Sequence, residues 1–124
     1  MPDHPLTVAQ LQAEIDRWVH AYGVRYFSEL TNLAILMEEV GELARLMARR
    51  YGEQSFKRSV APADMADEVA VVLFVLVCIA NQTGIDLTAA VENNLKKKTA
   101  RDRIRHANNP KLHSEPVIRT NDLE

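Results

Sequence analysis

Hydrophobic residues recur every three or four positions along the first quarter of the chain, a spacing typical of amphipathic helices. The first such stretch follows Thr7-Val8-Ala9-Gln10, which has the spacing of a helix-initiating capping box. Gly23 provides a stop signal after it. These signals predict a helix over residues 8–22, whose apolar positions are Leu11, Ile15, Trp18, Val19 and Tyr22.

The second amphipathic stretch shows the helical period more clearly. Arg49 and Arg50 suit its last turn, where the helix dipole favours positive charge, and Gly52 can end it. The pattern predicts a helix over residues 29–51. Its main apolar face consists of Leu33, Leu36, Met37, Val40, Leu43, Ala44 and Met47.

The longest apolar run, Val69–Ala80, is hydrophobic on every side. Its β-branched residues would also suit a buried strand, but the stretch from Pro62 to Thr83 contains no turn signal, and Gly84 follows it. Length therefore favours a helix over residues 62–83, placed centrally or at a subunit interface. The apolar run is too short to cross a bilayer, which needs about 20 residues.

The C-terminal part of the chain is polar. Asp86 can cap a fourth helix over residues 87–106, and residues 107–124 read as an aperiodic tail. We therefore expect an all-α, bundle-like fold in a single domain, residues 1–124, with a helical core over 7–106.

Composition narrows the function. A chain of 124 residues with a net charge of −2 lacks the strong positive charge of a general nucleic-acid binder. The single cysteine, Cys78, excludes an intrachain disulfide and a multi-cysteine zinc site. No charged-then-apolar leader opens the sequence, so we expect a cytoplasmic protein without a membrane partner.

Acidic residues provide the first chemical signal. Glu39 and Glu42 share one flank of the 29–51 helix with Ile35 and Leu46, whereas Glu38 points away from the main apolar face. Carboxylates among apolar neighbours are costly unless they are paired or bind a metal. A solvated face with Glu–Arg pairs such as Glu42 to Arg45 is the alternative.

Glu68 adds a third carboxylate directly before the apolar run. Acidic residues from two helices converge readily in a bundle core, and oxygen ligands without His or Cys suit Mg²⁺ or Mn²⁺. The sequence contains no Glu-x-x-His pair, so a ferritin-like di-iron site is excluded.

These residues resemble two motifs of MazG-type nucleotide pyrophosphohydrolases. Glu38-Glu39-Val40-Gly41-Glu42-Leu43 is similar to the EExxE motif, and residues 66–76 are similar to the ExxD motif with its apolar run. The resemblance covers roughly residues 7–106. It implies an all-α homodimer or homotetramer that uses Mg²⁺ to hydrolyse nucleoside triphosphates to monophosphates and pyrophosphate.

By matching position, the resemblance implies that Glu39, Glu42 and Glu68 hold the metal and that Glu38 orients water or a second ion. The chain departs from the ExxD motif at Val71, where the aspartate belongs. A valine cannot coordinate a cation, so Asp64 or Asp67 would have to substitute for it.

Substrate contacts are predicted from two further clusters. Asn94, Lys97 and Arg101 share one face of the fourth helix, and Asn94-Leu95-Lys96-Lys97 resembles the family's NxxK element, which implies contacts with phosphate or sugar. A solvated basic face is the alternative. Trp18 lies near Tyr22, Tyr26 and Phe27 and either stacks on a base or belongs to the core.

The sequence thus predicts a Mg²⁺-dependent nucleoside triphosphate pyrophosphohydrolase that clears surplus or non-standard nucleotides. The alternative is a helical module of the same family, impaired at Val71, which binds nucleotide or a protein partner without turnover. A purely structural protein that uses the apolar third helix would bind no nucleotide.

Overall fold

The structure, a computed structural model, describes residues 3–55 and 65–115. No strand occurs in these two ranges, so the predicted all-α class is confirmed. The predicted start of the third helix, at Pro62, lies outside the described residues. The helices are α1, Val8–Tyr22; α2, Glu29–Tyr51; α3, Met65–Thr83; and α4, Leu87–Ala107, followed by a short 3₁₀ turn at Pro110–Leu112.

Local side-chain chemistry fixes the ends of α1. The Gln10 backbone N–H donates to Thr7 Oγ1 at 3.1 Å, and the Thr7 backbone N–H donates to Gln10 Oε1 at 2.8 Å. This reciprocal pair is the predicted capping box, which satisfies two amides that helix geometry leaves without partners. Gly23 forms the C-cap. The predicted bounds of α1 and of α2, which ends at the Gly52 C-cap, are both confirmed.

The end of α3 depends on a glycine in the left-handed region. Gly84 has a φ of 74°, the Ile85 N–H donates to Ala80 O at 2.9 Å, and the Gly84 N–H reaches Asn81 O at 3.4 Å. This is a Schellman motif, and glycine suits it because it lacks the Cβ that makes such a φ costly. The motif therefore ends α3 at Thr83.

The described chain forms two compact units, residues 1–87 and 88–124. In the first unit, α3 packs against both α1 and α2. Its core is a cluster of Ile15, Val19, Val77 and Cys78, with Val77 fully buried. The apolar α3 therefore holds the other two helices together.

Two surfaces of α2 differ in burial: the main apolar face and the flank defined above, called here the carboxylate-bearing stripe, which consists of Ile35, Glu39, Glu42 and Leu46. Leu46, from the stripe that carries Glu39 and Glu42, is 3% exposed. Met37 and Met47, from the main apolar face, are 66% and 46% exposed, and Leu33 and Val40 are also exposed. The fold thus buries part of the carboxylate-bearing stripe, whereas most of the main apolar face is exposed among residues 3–55 and 65–115, with Leu36 and Leu43 half-buried. By length and composition alone α3 could cross a membrane, contrary to the expectation from its twelve-residue apolar run, and core helices of soluble proteins can have the same length and composition.

Candidate active site

The packing of α2 on α3 brings Glu39 and Glu68 together. Contact with the Glu39 carboxyl, followed by partial desolvation and then by the charges of Glu39, Glu42 and Asp67, raises the pKa of Glu68 to about 7. A carboxyl group with such a pKa is about half protonated near neutral pH, and a nearby cation would favour its ionised form. Two of the three predicted metal carboxylates therefore share one site.

One oxygen of this pair has no hydrogen-bond partner. Glu68 Oε1 is buried, and no group in the described residues donates to it. When Glu39 and Glu68 are both ionised, neither has a proton to share, so their contact does not satisfy this oxygen. A buried carboxylate oxygen in this state is stabilised by a proton, a cation or a bound water molecule.

Glu42 and Glu38 have more solvated positions. Glu42 Oε2 accepts hydrogen bonds from Arg45 Nε at 3.1 Å and Arg45 Nη2 at 2.7 Å, the solvated pair considered as the alternative. Glu38 is exposed. Within residues 3–55 and 65–115, no three His, Cys, Asp or Glu side chains lie close enough together to hold a metal ion as they stand. Glu42 would have to leave Arg45 to join Glu39 and Glu68.

Of the two proposed substitutes for the missing aspartate, the structure describes only Asp67. Asp64 lies outside the described residues. Asp67 is exposed in the first turn of α3, and its charge contributes to the raised pKa of Glu68. Val71, one turn after Glu68, lines an apolar cavity, so the position of the motif aspartate is part of a hydrophobic wall.

This cavity has a volume of about 380 Å³ and lies between α1, α2, α3 and the α1–α2 loop. Ile35 and Val71 contribute to its wall, and each lies one helical turn from a member of the Glu39–Glu68 pair. The carboxylates therefore lie about one helical turn beyond these two wall residues. Its lining includes Trp18, Tyr26, Phe27, Asn32, Ile35 and Val71.

Trp18 lies at the edge of this cavity rather than in the core. It is 50% exposed, and its ring packs edge-on against Phe74 with a centroid distance of 5.4 Å. Tyr22 lies on its other side, with a centroid distance of 5.9 Å. An exposed indole held in place by two rings can offer its free surface to a planar ligand.

The predicted phosphate contacts belong to the second unit. Asn94 and Lys97 are exposed on α4. Arg101 is engaged: its Nη2 lies 2.7 Å from Asp102 Oδ2, and this hydrogen-bonded pairing lowers the pKa of Asp102 and raises that of Arg101. Asp102 is 8% exposed and also faces Arg105 Nη2 at 3.5 Å.

Sequence reasoning missed two buried polar residues, Asp102 and Asn32. Asp102 is an acid within a basic segment, with arginines one residue before and three residues after it, and that charge pattern is its only signal. Asn32 lies on the same α2 stripe as Ile35 and Glu39. Its position as a polar residue in the same stripe as the carboxylates is the signal that could have identified Asn32 as a candidate site residue.

Residues 27–106 match the family model described as the MazG nucleotide pyrophosphohydrolase domain. The match covers more than half of the chain and includes both motifs, so the protein belongs to this family. It is accordingly a nucleotide pyrophosphohydrolase, a hydrolase that acts on phosphorus anhydrides. The resemblance inferred from the motifs is confirmed.

Two curated relatives are similar over most of their length. The protein is 42% identical to the uncharacterized protein YpjD of Bacillus subtilis strain 168 over 99 residues, which cover 80% of this chain and 89% of YpjD. It is 33% identical to the dATP/dGTP diphosphohydrolase of cyanophage S-2L over 109 residues, which cover 88% of this chain and 90% of the relative.

Two crystal structures share the fold. YpjD from Bacillus subtilis superposes with a TM-score of 0.67 at 41% identity, covering 76% of this chain and 96% of YpjD. The Bacillus-conserved MazG protein, a nucleotide pyrophosphohydrolase, gives a TM-score of 0.66 at 37% identity, covering 80% of this chain and 96% of its own.

Proposed function

We propose that the protein is a Mg²⁺-dependent enzyme that cleaves (d)NTP to (d)NMP and pyrophosphate as part of nucleotide-pool housekeeping. The observation that carries the proposal is the Glu39–Glu68 pair with its buried, unpartnered oxygen. A pair of carboxylates with an unsatisfied oxygen fits a hard divalent cation, Mg²⁺ or Mn²⁺. Such an ion, when bound, lowers the pKa of a coordinated water and offsets phosphate charge.

Each acidic side chain has a distinct role in this proposal. Glu39 and Glu68 hold the cation, and Glu42 joins them by exchanging its ion pair with Arg45 for the metal. That exchange is feasible because the pair is half-exposed and such pairs contribute little, about 0–1 kcal/mol. Glu38, adjacent in sequence and exposed, orients the attacking water.

The apolar cavity is the proposed nucleoside site. Its wall residues Ile35 and Val71 lie about one helical turn from the carboxylate pair, and Trp18 at its edge offers a ring surface on which a base can stack. The cyanophage relative is named for dATP and dGTP, which makes these the first substrates to test. Asn94, Lys97 and Arg101 are proposed phosphate or sugar ligands on the NxxK resemblance, and Arg101 would then exchange its pairing with Asp102 for phosphate.

A second copy of the chain is the proposed partner for the main apolar face of α2. Contiguous exposed apolar surface of this kind marks an interaction site in a soluble protein. Gly41 fits this role, because a Cβ added there would meet nothing within 4 Å and the backbone is open to close approach. We propose a homodimer or homotetramer in the cytoplasm, where nucleoside triphosphates are found, with no nucleic-acid or membrane partner.

A module that binds nucleotide without turnover is the second candidate, and Val71 favours it. The side chain at this position lines the apolar cavity, and no valine ligates metal. Val71→Asp distinguishes the two candidates. A working enzyme with a weakened site gains activity, about tenfold, from the added ligand. A module that lacks more than this one ligand stays inactive in both forms.

The experiment measures pyrophosphate release from a panel of canonical and modified dNTPs with Mg²⁺ or Mn²⁺. It compares the native chain with Glu39→Ala and with Glu29→Ala, a control glutamate exposed on the same helix. We expect native turnover, a loss of about a hundredfold or more in Glu39→Ala, and no loss in the control. Native turnover that survives Glu39→Ala would refute the site, and no turnover on any dNTP would refute the proposed activity.

A further inference from the structure

Asn32 is a buried amide whose orientation is fixed by its neighbours. The residue is 5% exposed, and its Nδ2 group donates to Gln82 Oε1 at 2.7 Å and, at a longer 3.5 Å, to Phe27 O. These bonds use the donor side of the Asn32 amide. Its acceptor, Oδ1, belongs to a side chain that lines the 380 Å³ cavity.

The orientation follows from the backbone. Gln82 Nε2 donates to Phe27 O at 2.9 Å, and a backbone carbonyl can only accept. Gln82 must therefore direct its NH₂ group to Phe27 and its Oε1 to Asn32. Asn32 in turn must direct Nδ2 to Gln82, because two carbonyl oxygens facing each other would repel. The backbone carbonyl thus determines both amides, and Oδ1 remains as a positioned acceptor.

Asn32 lies on the same face of α2 as Glu39. Asn32 precedes Glu39 by seven residues, which is two turns of α2 or about 10 Å along the helix axis. The cavity covers this interval, and Ile35 lies on its wall between the two. A nucleotide with its phosphates at Glu39 would direct the outer edge of its base toward Asn32.

We propose that Asn32 Oδ1 accepts a hydrogen bond from the exocyclic amine of the substrate's nucleobase, and that Gln82 is the positioning residue that orients this acceptor. The inference rests on the proposed function, because it places the nucleoside in the cavity beside Glu39 and Glu68. The protein therefore prefers amino-bearing bases, such as adenine, over bases without an amine at the same edge. A buried site built to bond a polar group discriminates strongly against an analogue that lacks it.

The test measures binding of nucleoside monophosphates, which contain no anhydride to cleave, by isothermal titration calorimetry with Mg²⁺ in excess. The ligands are dAMP and the matching purine deoxyriboside monophosphate, in which hydrogen replaces the amine. Wild-type protein is expected to bind dAMP about tenfold more tightly. Asn32→Leu abolishes this preference, and Gln82→Leu reduces it while leaving the affinity for the amine-free ligand within about twofold. The control Asn93→Leu, an exposed asparagine on α4, keeps the preference.

Equal binding of the two ligands by the wild-type protein, or an undiminished preference in Asn32→Leu, would overturn the inference. The wild-type comparison requires no substitution, so a variant that fails to fold leaves the test intact. Failure of the proposed function gives a different result. Selective dAMP binding without pyrophosphate release from any dNTP supports base recognition by Asn32 and refutes the proposed hydrolysis. Pyrophosphate release without selective binding supports the proposed hydrolysis and refutes base recognition by Asn32.

Discussion

The two stripes of α2 show that hydrophobic content alone does not decide which face of a helix the monomer buries. The main apolar face carries the larger hydrophobic side chains, yet Met37 is 66% exposed. The stripe with Glu39 and Glu42 packs against α3 instead and places Leu46 in the interior. Placing the half-buried Glu39 beside Glu68 while Met37 stays exposed is costly, and this cost favours a role for the stripe other than stability.

The two surfaces of α2 are proposed to serve two different properties, metal binding and association. The proposed metal site on the carboxylate-bearing stripe lies within one chain, because Glu39 and Glu68 both come from the first unit. The proposed association between chains uses the main apolar face. Substitutions on one stripe should therefore leave the property of the other largely intact.

The largest expected effect is on assembly. Met37→Glu places a charge on the main apolar face, and burying it against a second copy would cost several kcal/mol, on the order of 3–5 without a partner charge. We expect the mass measured by sedimentation to fall from a multiple of 14.0 kDa to 14.0 kDa. Met37→Leu is the control and should remain associated. Native protein that sediments as a monomer would contradict the proposed interface.

A smaller effect distinguishes the neighbours Leu46 and Met47. Leu46 is 3% exposed, so Leu46→Ala should lower the free energy of unfolding by about 3 kcal/mol at any protein concentration. Met47 is 46% exposed, so Met47→Ala should reduce stability mainly through association, as a shift in the urea midpoint that depends on protein concentration. Urea unfolding at two protein concentrations measures both. Equal, concentration-independent losses would mean that the two stripes do not differ.

The smallest effect is a pH dependence of the metal-free protein. The folded chain raises the pKa of Glu68 from its ordinary value of 4.5 to about 7, so between these values the folded state binds more protons than the unfolded state. This group therefore lowers stability as pH rises from about 5 to about 8. In EDTA, Glu68→Gln should weaken that decline and exceed the native Tm at the upper end. A native Tm that rises across this range with Glu68→Gln unchanged would contradict the paired site.

Much of the fold is predictable because its signals are local. The capping box at Thr7 and Gln10 and the cap glycines Gly23 and Gly52 fix helix ends through bonds within a few residues. The choice of the buried α2 stripe is not local. It depends on what α3 offers across the interface, and a single helix pattern contains no information about that.

In the candidate site, too, some residues were predictable from the sequence and others were not. Motif spacing indicated Glu39 and Glu68, and the structure brings them together. The recognition of the base proposed for Asn32 depends on Gln82, which is fifty residues away in sequence, and on the backbone carbonyl of Phe27. Such networks arise only from tertiary packing, so no spacing rule in the sequence could have predicted them.

The most direct measurement is calorimetric titration of Mn²⁺ into native protein, Glu39→Gln, Glu68→Gln and the exposed control Glu29→Gln, without nucleotide. We predict that the native chain and the control bind alike and that each pair variant binds about a hundredfold or more weakly. Native affinity retained in both Glu39→Gln and Glu68→Gln would contradict the claim that these two side chains hold the catalytic cation.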